Sequence, residues 1–151
     1  MPGRSGSRSG LWGDLPLLID TSAFARASHP QIRGPWQDAL RADRLRLAPP
    51  ARMEILYTAR DGVTFDSLAA QLSALRPAPL TTGVLRAAED AMRTLAHRSA
   101  GSQRLPVIDY LIGAAAQEMG AAVIHYDRGY DTLAEVMEFE SVWLAPPGAL
   151  P

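Results

Sequence analysis

The chain has 151 residues, 47% of them hydrophobic, and a formal net charge of −1 at pH 7. These values suit one globular domain with a full core and argue against a protein that coats nucleic acid with a basic surface. It has no cysteine, and all 15 of its cationic residues are arginine, which excludes disulfides, thiolate catalysis, a P-loop and a Schiff-base enzyme.

Short apolar runs alternate along the chain with segments of helical periodicity. Four strands are predicted, at residues 15–19, 45–48, 121–126 and 141–144. Six helices are predicted between them, at residues 36–43, 51–60, 65–75, 82–96, 106–120 and 130–138. Strands that alternate with helices predict an α/β domain in which helices cover both faces of a parallel sheet.

The two ends of the chain are polar or rich in proline and glycine. The first ten residues carry charge but no apolar segment, so they do not form a secretory signal. We predict a disordered N-terminal extension at 1–13, one domain at 14–145 and a flexible tail at 146–151. No apolar run approaches the ~20 residues of a membrane span, so we expect no membrane partner and a cytoplasmic location.

Four carboxylates each stand at the edge of an apolar run: Asp20, Glu54, Asp109 and Asp127. Asp20 and Asp127 follow predicted strands, whereas Glu54 and Asp109 lie in the first turns of predicted helices. Ligand sites in such sheets form beyond the carboxyl ends of the strands, so we expect the four acids to converge. A set of oxygen ligands suits a hard cation such as Mg²⁺ or Mn²⁺, which points to metal-assisted phosphodiester chemistry.

The segments around these acids resemble the four motifs of a PIN-domain ribonuclease. They are residues 18–23 (LIDTSA), 53–56 (MEIL), 108–115 (IDYLIGAA) and 125–134 (HYDRGYDTLA). Each motif is weak alone, but four in order over nearly the whole chain are specific. Their order and the chain length are similar to those of VapC-type toxins of type II toxin–antitoxin pairs.

The resemblance implies a single PIN-like domain, with a twisted parallel sheet of strand order 3-2-1-4-5 flanked by helices. It implies that Asp20, Asp109 and Asp127 bind Mg²⁺ or Mn²⁺, and that Glu54 completes the catalytic set as a ligand or through a bound water. The expected activity is metal-dependent endoribonuclease cleavage of RNA by a toxin. The expected partners are RNA, a cognate antitoxin and a second copy of the chain in a homodimer.

Three residues near the acids have supporting roles with alternatives. Ser22 is expected to form a hydrogen bond within the site, although Thr21 and Ser22 also suit capping of the next helix. Many relatives carry a second acid where Gly129 stands, and its loss would weaken a second metal site more than the first. Asp131 is placed either to approach the metal or to serve as a surface acid at a helix N-terminus.

The remaining candidates border the site. His125 is either a hydrogen-bonding residue behind the ligands or a partly buried strand histidine. Arg104 and Arg128 are best placed to contact RNA phosphates, the alternative being solvated loop positions.

Two other functions stay open: a PIN nuclease of RNA processing outside toxin–antitoxin systems, and a catalytically dead PIN-like binding domain. A haloacid-dehalogenase-type phosphatase is discounted, because it needs an acid where Ser22 stands and also a lysine.

Overall fold

The structure, a computed structural model, describes residues 10–151. Its sheet has five strands: β1 (Leu17–Ile19), β2 (Leu45–Leu47), β3 (Arg76–Pro77), β4 (Ala122–His125) and β5 (Glu140–Trp143). All neighbouring strands are parallel, and their order is β3-β2-β1-β4-β5. The fold class and the strand order implied by the resemblance are therefore confirmed.

The described residues contain seven helices. They are α1 (Thr21–Phe24), α2 (Pro30–Arg41), α3 (Pro49–Tyr57), α4 (Gly62–Leu72), α5 (Thr82–Arg98), α6 (Val107–Met119) and α7 (Gly129–Ala134). Gly120 ends α6 as predicted, since its φ of 65° lies in the left-handed region that glycine adopts without strain. None of the helices within residues 10–151 combines the length and apolar character needed to cross a bilayer.

The core lies on both sides of the central strands. All residues of β1 and β4 are buried, as expected for parallel strands covered by helices on two faces. Helix α6 packs close to the core through a run of small residues, 113–116. A Cβ on Gly113 would lie only 3.0 Å from the ring of Phe139, so this glycine allows the segment before β5 to approach the helix.

Three elements differ from the sequence prediction. Helix α1 is not among the predicted helices. Strand β3 has only two residues, both exposed, and Pro77 is acceptable there because an edge strand need not donate every hydrogen bond. Helix α2 begins at Pro30 rather than near residue 36. His29 Nδ1 caps it by accepting from Gln31 N at 3.2 Å, and the helix continues through Pro35, which a sequence pattern treats as a helix breaker.

The N-terminal prediction is wrong at Trp12. Its indole is buried, donates from Nε1 to Leu144 O at 3.1 Å and packs edge-on against Trp36. Burial of a large aromatic ring with its N–H satisfied gives this residue a packing role, so the predicted disorder of 1–13 does not hold there. Residues 1–9 lie outside the described part of the chain.

The C-terminal segment, predicted as a flexible tail at 146–151, lies against the domain. Leu150 is buried, and its N–H donates to the Tyr126 hydroxyl at 2.8 Å. Arg26 Nε donates to Pro151 O at 3.0 Å, and its guanidinium lies 4.5 Å from the centroid of the Tyr126 ring. These contacts place the last residues beside the loop that follows β4.

Candidate active site

Asp20 is held at the junction of β1 and α1. Its N–H donates to Ile124 O at 3.0 Å, which continues the pairing of β1 with β4. Its Oδ2 accepts from Ser22 N at 3.0 Å and from the Ser22 hydroxyl, so Asp20 is itself the N-cap of α1. Ser22 Oγ in turn accepts from Tyr126 N at 2.9 Å. Ser22 thus ties Asp20 to the end of β4.

Tyr130 joins the acids of β1 and α6. Its ring is fully buried, and its hydroxyl lies 2.7 Å from Asp20 Oδ1 and 3.1 Å from Asp109 Oδ1. Asp109 lies in the first turn of α6 and is only 7% exposed, and Asp20 is 5% exposed. Two nearly buried carboxylates from distant parts of the chain therefore share one phenol.

The four predicted acids converge electrostatically on Asp109. Burial, followed by the charge of Asp20, raises the pKa of Asp109 from 3.8 to about 7. The charges of Asp127 and Glu54 raise this pKa further, and the hydrogen bond with Tyr130 opposes them. In the absence of a cation, this raised pKa favours the protonated form of Asp109 at higher pH than for a free carboxyl group. When protonated, it can donate to the Tyr130 oxygen.

Asp127 and Gly129 form the more open side of the site. Asp127 is exposed, and its Oδ1 accepts from Gly129 N at 2.8 Å. A Cβ added to Gly129 would lie 3.3 Å from Asp127 Oδ1 and 3.8 Å from Asp109 Oδ2. Gly129 therefore lies beside both carboxylates and, lacking a side chain, leaves space where many relatives carry an acid.

Glu54 is the most loosely connected of the four. It is partly buried on α3, and its charge is the smallest of the causes that raise the pKa of Asp109. Within residues 10–151 its side chain forms no hydrogen bond with the other three acids. Glu54 therefore borders the site without being fixed in it.

The site fits a hard cation by its chemistry. Within residues 10–151, no group of three or more carboxylate or imidazole side chains lies close enough together to coordinate a metal ion without some side-chain movement. However, neither Asp20 nor Asp109 is paired with an arginine in that part of the chain, and buried carboxylates need a counter-charge. Carboxylate oxygens suit Mg²⁺ or Mn²⁺. Asp20, Asp109 and Asp127 are the residues that would hold such an ion.

Asp131 lies outside this cluster, in a polar network with β5. It accepts hydrogen bonds from the Ser141 hydroxyl at 2.8 Å and from Trp143 Nε1 at 3.0 Å. Ser141 Oγ also lies 2.7 Å from His125 Nε2. The register of the sheet, which pairs His125 with Trp143, brings these groups together.

His125 holds the backbone of Asp127. Its ring is fully buried, and Nδ1 accepts from Asp127 N at 3.1 Å, so the hydrogen bonds assign the ring proton to Nε2. Burial lowers the pKa of His125 below 6.5, which keeps the ring neutral. The ring also stacks on Tyr130, with centroids 4.8 Å apart. Of its two predicted roles, the structure supports the hydrogen-bonding one.

The other predicted residues border the site at different distances. Thr21 Oγ1 is buried and has no hydrogen-bond partner within residues 10–151. Arg128 is exposed directly after Asp127, and Arg104 is exposed in the loop before α6. A Cδ of Leu105, the neighbour of Arg104, lies 4.0 Å from the position of a Gly129 Cβ. The loop of Arg104 therefore reaches the open side of the site.

Sequence reasoning missed Tyr130, Ser141 and Trp143. Tyr130 follows Asp127 by only three residues, and that closeness to a candidate ligand could have indicated it. Ser141 and Trp143 carried no such signal, because their contacts depend on the register of β5 beside β4.

The chain is similar to known proteins over most of its length. A model of the PIN domain family matches residues 17–136. Ribonuclease VapC18 of Mycobacterium tuberculosis is 35% identical over 137 residues, which are 90% of this chain and 100% of that protein. Ribonuclease VapC51 of the same organism is 32% identical over 136 residues, or 90% and 98% of the two chains.

Solved structures share the fold at low sequence identity. DNA-bound VapBC from Salmonella typhimurium aligns with a TM-score of 0.67 and 16% identity, covering 87% of this chain and 100% of that one. VapBC-5 from Mycobacterium tuberculosis aligns with a TM-score of 0.63 and 18% identity, covering 85% and 98%. The family match extends from β1 to the end of α7 and includes all four acids. The chain therefore belongs to the PIN domain family and is a relative of the VapC ribonucleases.

Proposed function

We propose that this chain is a metal-dependent endoribonuclease and the toxin of a toxin–antitoxin pair. The observation that carries the proposal is the convergence of acidic charge on Asp109, whose pKa rises to about 7. Acids gathered around a buried carboxylate repel one another, and a bound cation would neutralise that charge, which is typical of a functional site. The extended similarity to ribonucleases named VapC supports RNA as the substrate class.

Each of the four acids would have its own role in binding the cation. When bound, Mg²⁺ or Mn²⁺ polarises the scissile phosphate and lowers the pKa of the attacking water. Asp20 offers an oxygen whose direction is fixed by Ser22 and Tyr130. Asp109 and Asp127 supply the other carboxylate oxygens, and Glu54 serves as a further ligand or orients a water at the border of the site.

Arginine side chains would bind the flanking phosphates of the RNA. The acidic site repels a polyanion unless a cation neutralises it, so substrate binding and chemistry need the same ion. Arg104 and Arg128 are exposed on the two segments that border the open side. Contacts from these residues would position the strand without reading its sequence.

We further propose an antitoxin, a homodimer and a cytoplasmic location. Several fold neighbours are complexes named VapBC, and an acidic cleft is complementary to a basic side chain of a protein inhibitor. Tyr57 and Val63, at the end of α3 and the start of α4, are 89% and 83% exposed, so each offers apolar surface that a protein contact would bury. We assign these two to the dimer contact, which a sedimentation comparison of wild type and Tyr57→Glu would test.

Induced expression with mapping of cleaved RNA ends tests the function. We expect wild-type protein to slow growth and to cut RNA internally, and co-expression of the neighbouring gene to relieve both effects. Asp20→Asn should abolish both while the protein stays folded. Internal cleavage without any effect of a neighbouring gene would favour an RNA-processing nuclease. RNA binding without cleavage, in the presence of Mg²⁺ or Mn²⁺, would indicate a catalytically dead domain.

A further inference from the structure

We propose that Tyr130 is a positioning residue for the cation: its hydroxyl fixes which carboxylate oxygens of Asp20 and Asp109 face the site. This inference rests on the proposed function, because it concerns the same metal site. Nothing in the motif pattern requires a hydroxyl at this position, since a phenyl ring would also fill a buried space. The hydroxyl therefore needs its own explanation.

The phenol is held rigidly where it meets the two acids. Its ring stacks on His125 at 4.8 Å with an interplanar angle of 29°, and it meets Phe139 edge-on at 6.4 Å. The Tyr130 residue is fully buried, so packing leaves the ring no alternative rotamer of similar energy. Its hydroxyl is consequently a fixed point between β1 and α6, 2.7 Å from Asp20 Oδ1 and 3.1 Å from Asp109 Oδ1.

The hydrogen bonds of Asp20 leave one oxygen available. A carboxylate has about four lone-pair directions, two on each oxygen. At Oδ2 both are used, one by Ser22 N and one by the Ser22 hydroxyl. At Oδ1 the Tyr130 hydroxyl uses one direction and leaves one open. Tyr130 and Ser22 together therefore orient the carboxylate and assign Oδ1 to the cation.

For Asp109 the same contact turns the other oxygen outward. Oδ1 lies against the Tyr130 hydroxyl, and Oδ2 lies on the side of Gly129, 3.8 Å from the position of a Cβ there. Asp127 Oδ1 lies 3.3 Å from that same position. The free oxygen of Asp109 thus faces the side on which Asp127 stands, and one hydroxyl determines the presentation of two of the three proposed ligands.

Tyr130→Phe tests this assignment, with Tyr110→Phe as its matched control. Tyr110 is also a fully buried tyrosine, but its hydroxyl donates to the Gln103 carbonyl at 2.8 Å and, within residues 10–151, forms no hydrogen bond with the four acids. Both variants keep the ring, but Tyr130→Phe removes a hydroxyl that contacts two carboxylates, whereas Tyr110→Phe removes one hydrogen bond to a backbone carbonyl. Calorimetric titration of the full chain with Mn²⁺ alone should give a Kd about tenfold or more weaker for Tyr130→Phe and an unchanged Kd for Tyr110→Phe.

Several results would overturn the proposal. A Tyr130→Phe Kd within twofold of wild type, a tighter Kd, or equal weakening in Tyr110→Phe would each remove the positioning role. If wild type binds Mn²⁺ and cleaves RNA in those cases, the proposed function stands and only the role of Tyr130 fails. If wild type binds no Mn²⁺, both fail.

A second readout uses wild-type protein labelled with fluorotyrosine and so does not depend on the folding of Tyr130→Phe. The Tyr130 resonance, assigned by exclusion with Tyr57, Tyr110 and Tyr126 variants, should shift on addition of Mg²⁺. An unshifted resonance at saturating Mg²⁺ would contradict the proposal that the Tyr130 hydroxyl positions the carboxylates that bind the cation.

Discussion

Asp109→Asn separates a metal-binding carboxylate from a structural one. The substitution keeps the size of the side chain and removes its charge from a buried position near three other acids. In the metal-free protein that charge opposes folding, because burial and like charges disfavour it. We therefore expect Asp109→Asn to be at least as stable as wild type without metal, and to lose the function that depends on the charge.

The magnitude follows from the pKa of Asp109, which folding raises from 3.8 to about 7. At about 1.36 kcal/mol per pKa unit, ionised Asp109 lowers the free energy of unfolding by at most about 4 kcal/mol at pH 8. Solvent on the Asp127 side screens part of this, and asparagine weakens the contact with Tyr130, worth about 1 kcal/mol. We expect a net gain of about 1–2 kcal/mol.

The pH dependence gives this gain a signature. Between about pH 4 and pH 7 the folded carboxyl holds a proton that the unfolded chain has released, so the contribution of Asp109 to the stability of the wild type falls as pH rises. The advantage of Asp109→Asn should be absent near pH 4, grow to pH 7 and stay constant above it. Urea unfolding with EDTA at several pH values measures it, with Asp90→Asn, an exposed acid on α5, as the control.

Metal binding and RNA cleavage should decrease in Asp109→Asn, although its metal-free stability rises. Mn²⁺ should stabilise wild type and Asp90→Asn against unfolding and should stabilise Asp109→Asn much less. RNA cleavage by Asp109→Asn should fall by orders of magnitude. Asp109 is not a metal-binding residue if Asp109→Asn unfolds the domain, or if Asp109→Asn is folded and cleaves RNA at the wild-type rate.

Two further predictions concern metal binding and the N-terminal segment. Because the proton of Asp109 must leave when a cation binds, the Mn²⁺ affinity of wild type should rise as pH increases from 6 through about 7 and level off above it. Calorimetric titration at several pH values measures this affinity, and a constant affinity over that range would contradict a metal role for Asp109. Since Trp12 is buried against Trp36 and Leu144, Trp12→Ala should lower the free energy of unfolding by about 3–5 kcal/mol. A loss below ~1 kcal/mol in chemical denaturation would instead support the prediction that residues 10–13 belong to a disordered extension.

The positions of the acids could be predicted because each depends on local sequence. Asp20 and Asp127 end apolar runs, and parallel strands bring their carboxyl ends to the same edge of a sheet. Asp109 lies one turn into a helix whose C-terminus is marked by Gly120. The strand order, in contrast, came from the resemblance, since apolar periodicity did not reveal the exposed two-residue strand β3.

The groups that organise the acids could not be predicted from local patterns. Trp143 meets Asp131 only through the alignment of β5 with β4, and Tyr130 meets Asp20 across 110 residues of chain. Trp12 stands in a polar segment, and its contact with the Leu144 carbonyl is equally non-local. Such contacts are set by sheet register and packing, which a single sequence does not specify by itself.

We propose that Asp20, Asp109 and Asp127 hold the cation that makes this chain a ribonuclease. The most direct measurement is the cleavage of a defined RNA by purified wild type, Asp20→Asn and the control Asp90→Asn, each with Mg²⁺, with Mn²⁺ and with EDTA. We predict internal cuts by wild type and Asp90→Asn with either metal, and none with EDTA or by folded Asp20→Asn. Cleavage by wild type in EDTA, or by Asp20→Asn at the wild-type rate, would contradict metal-dependent catalysis at these acids.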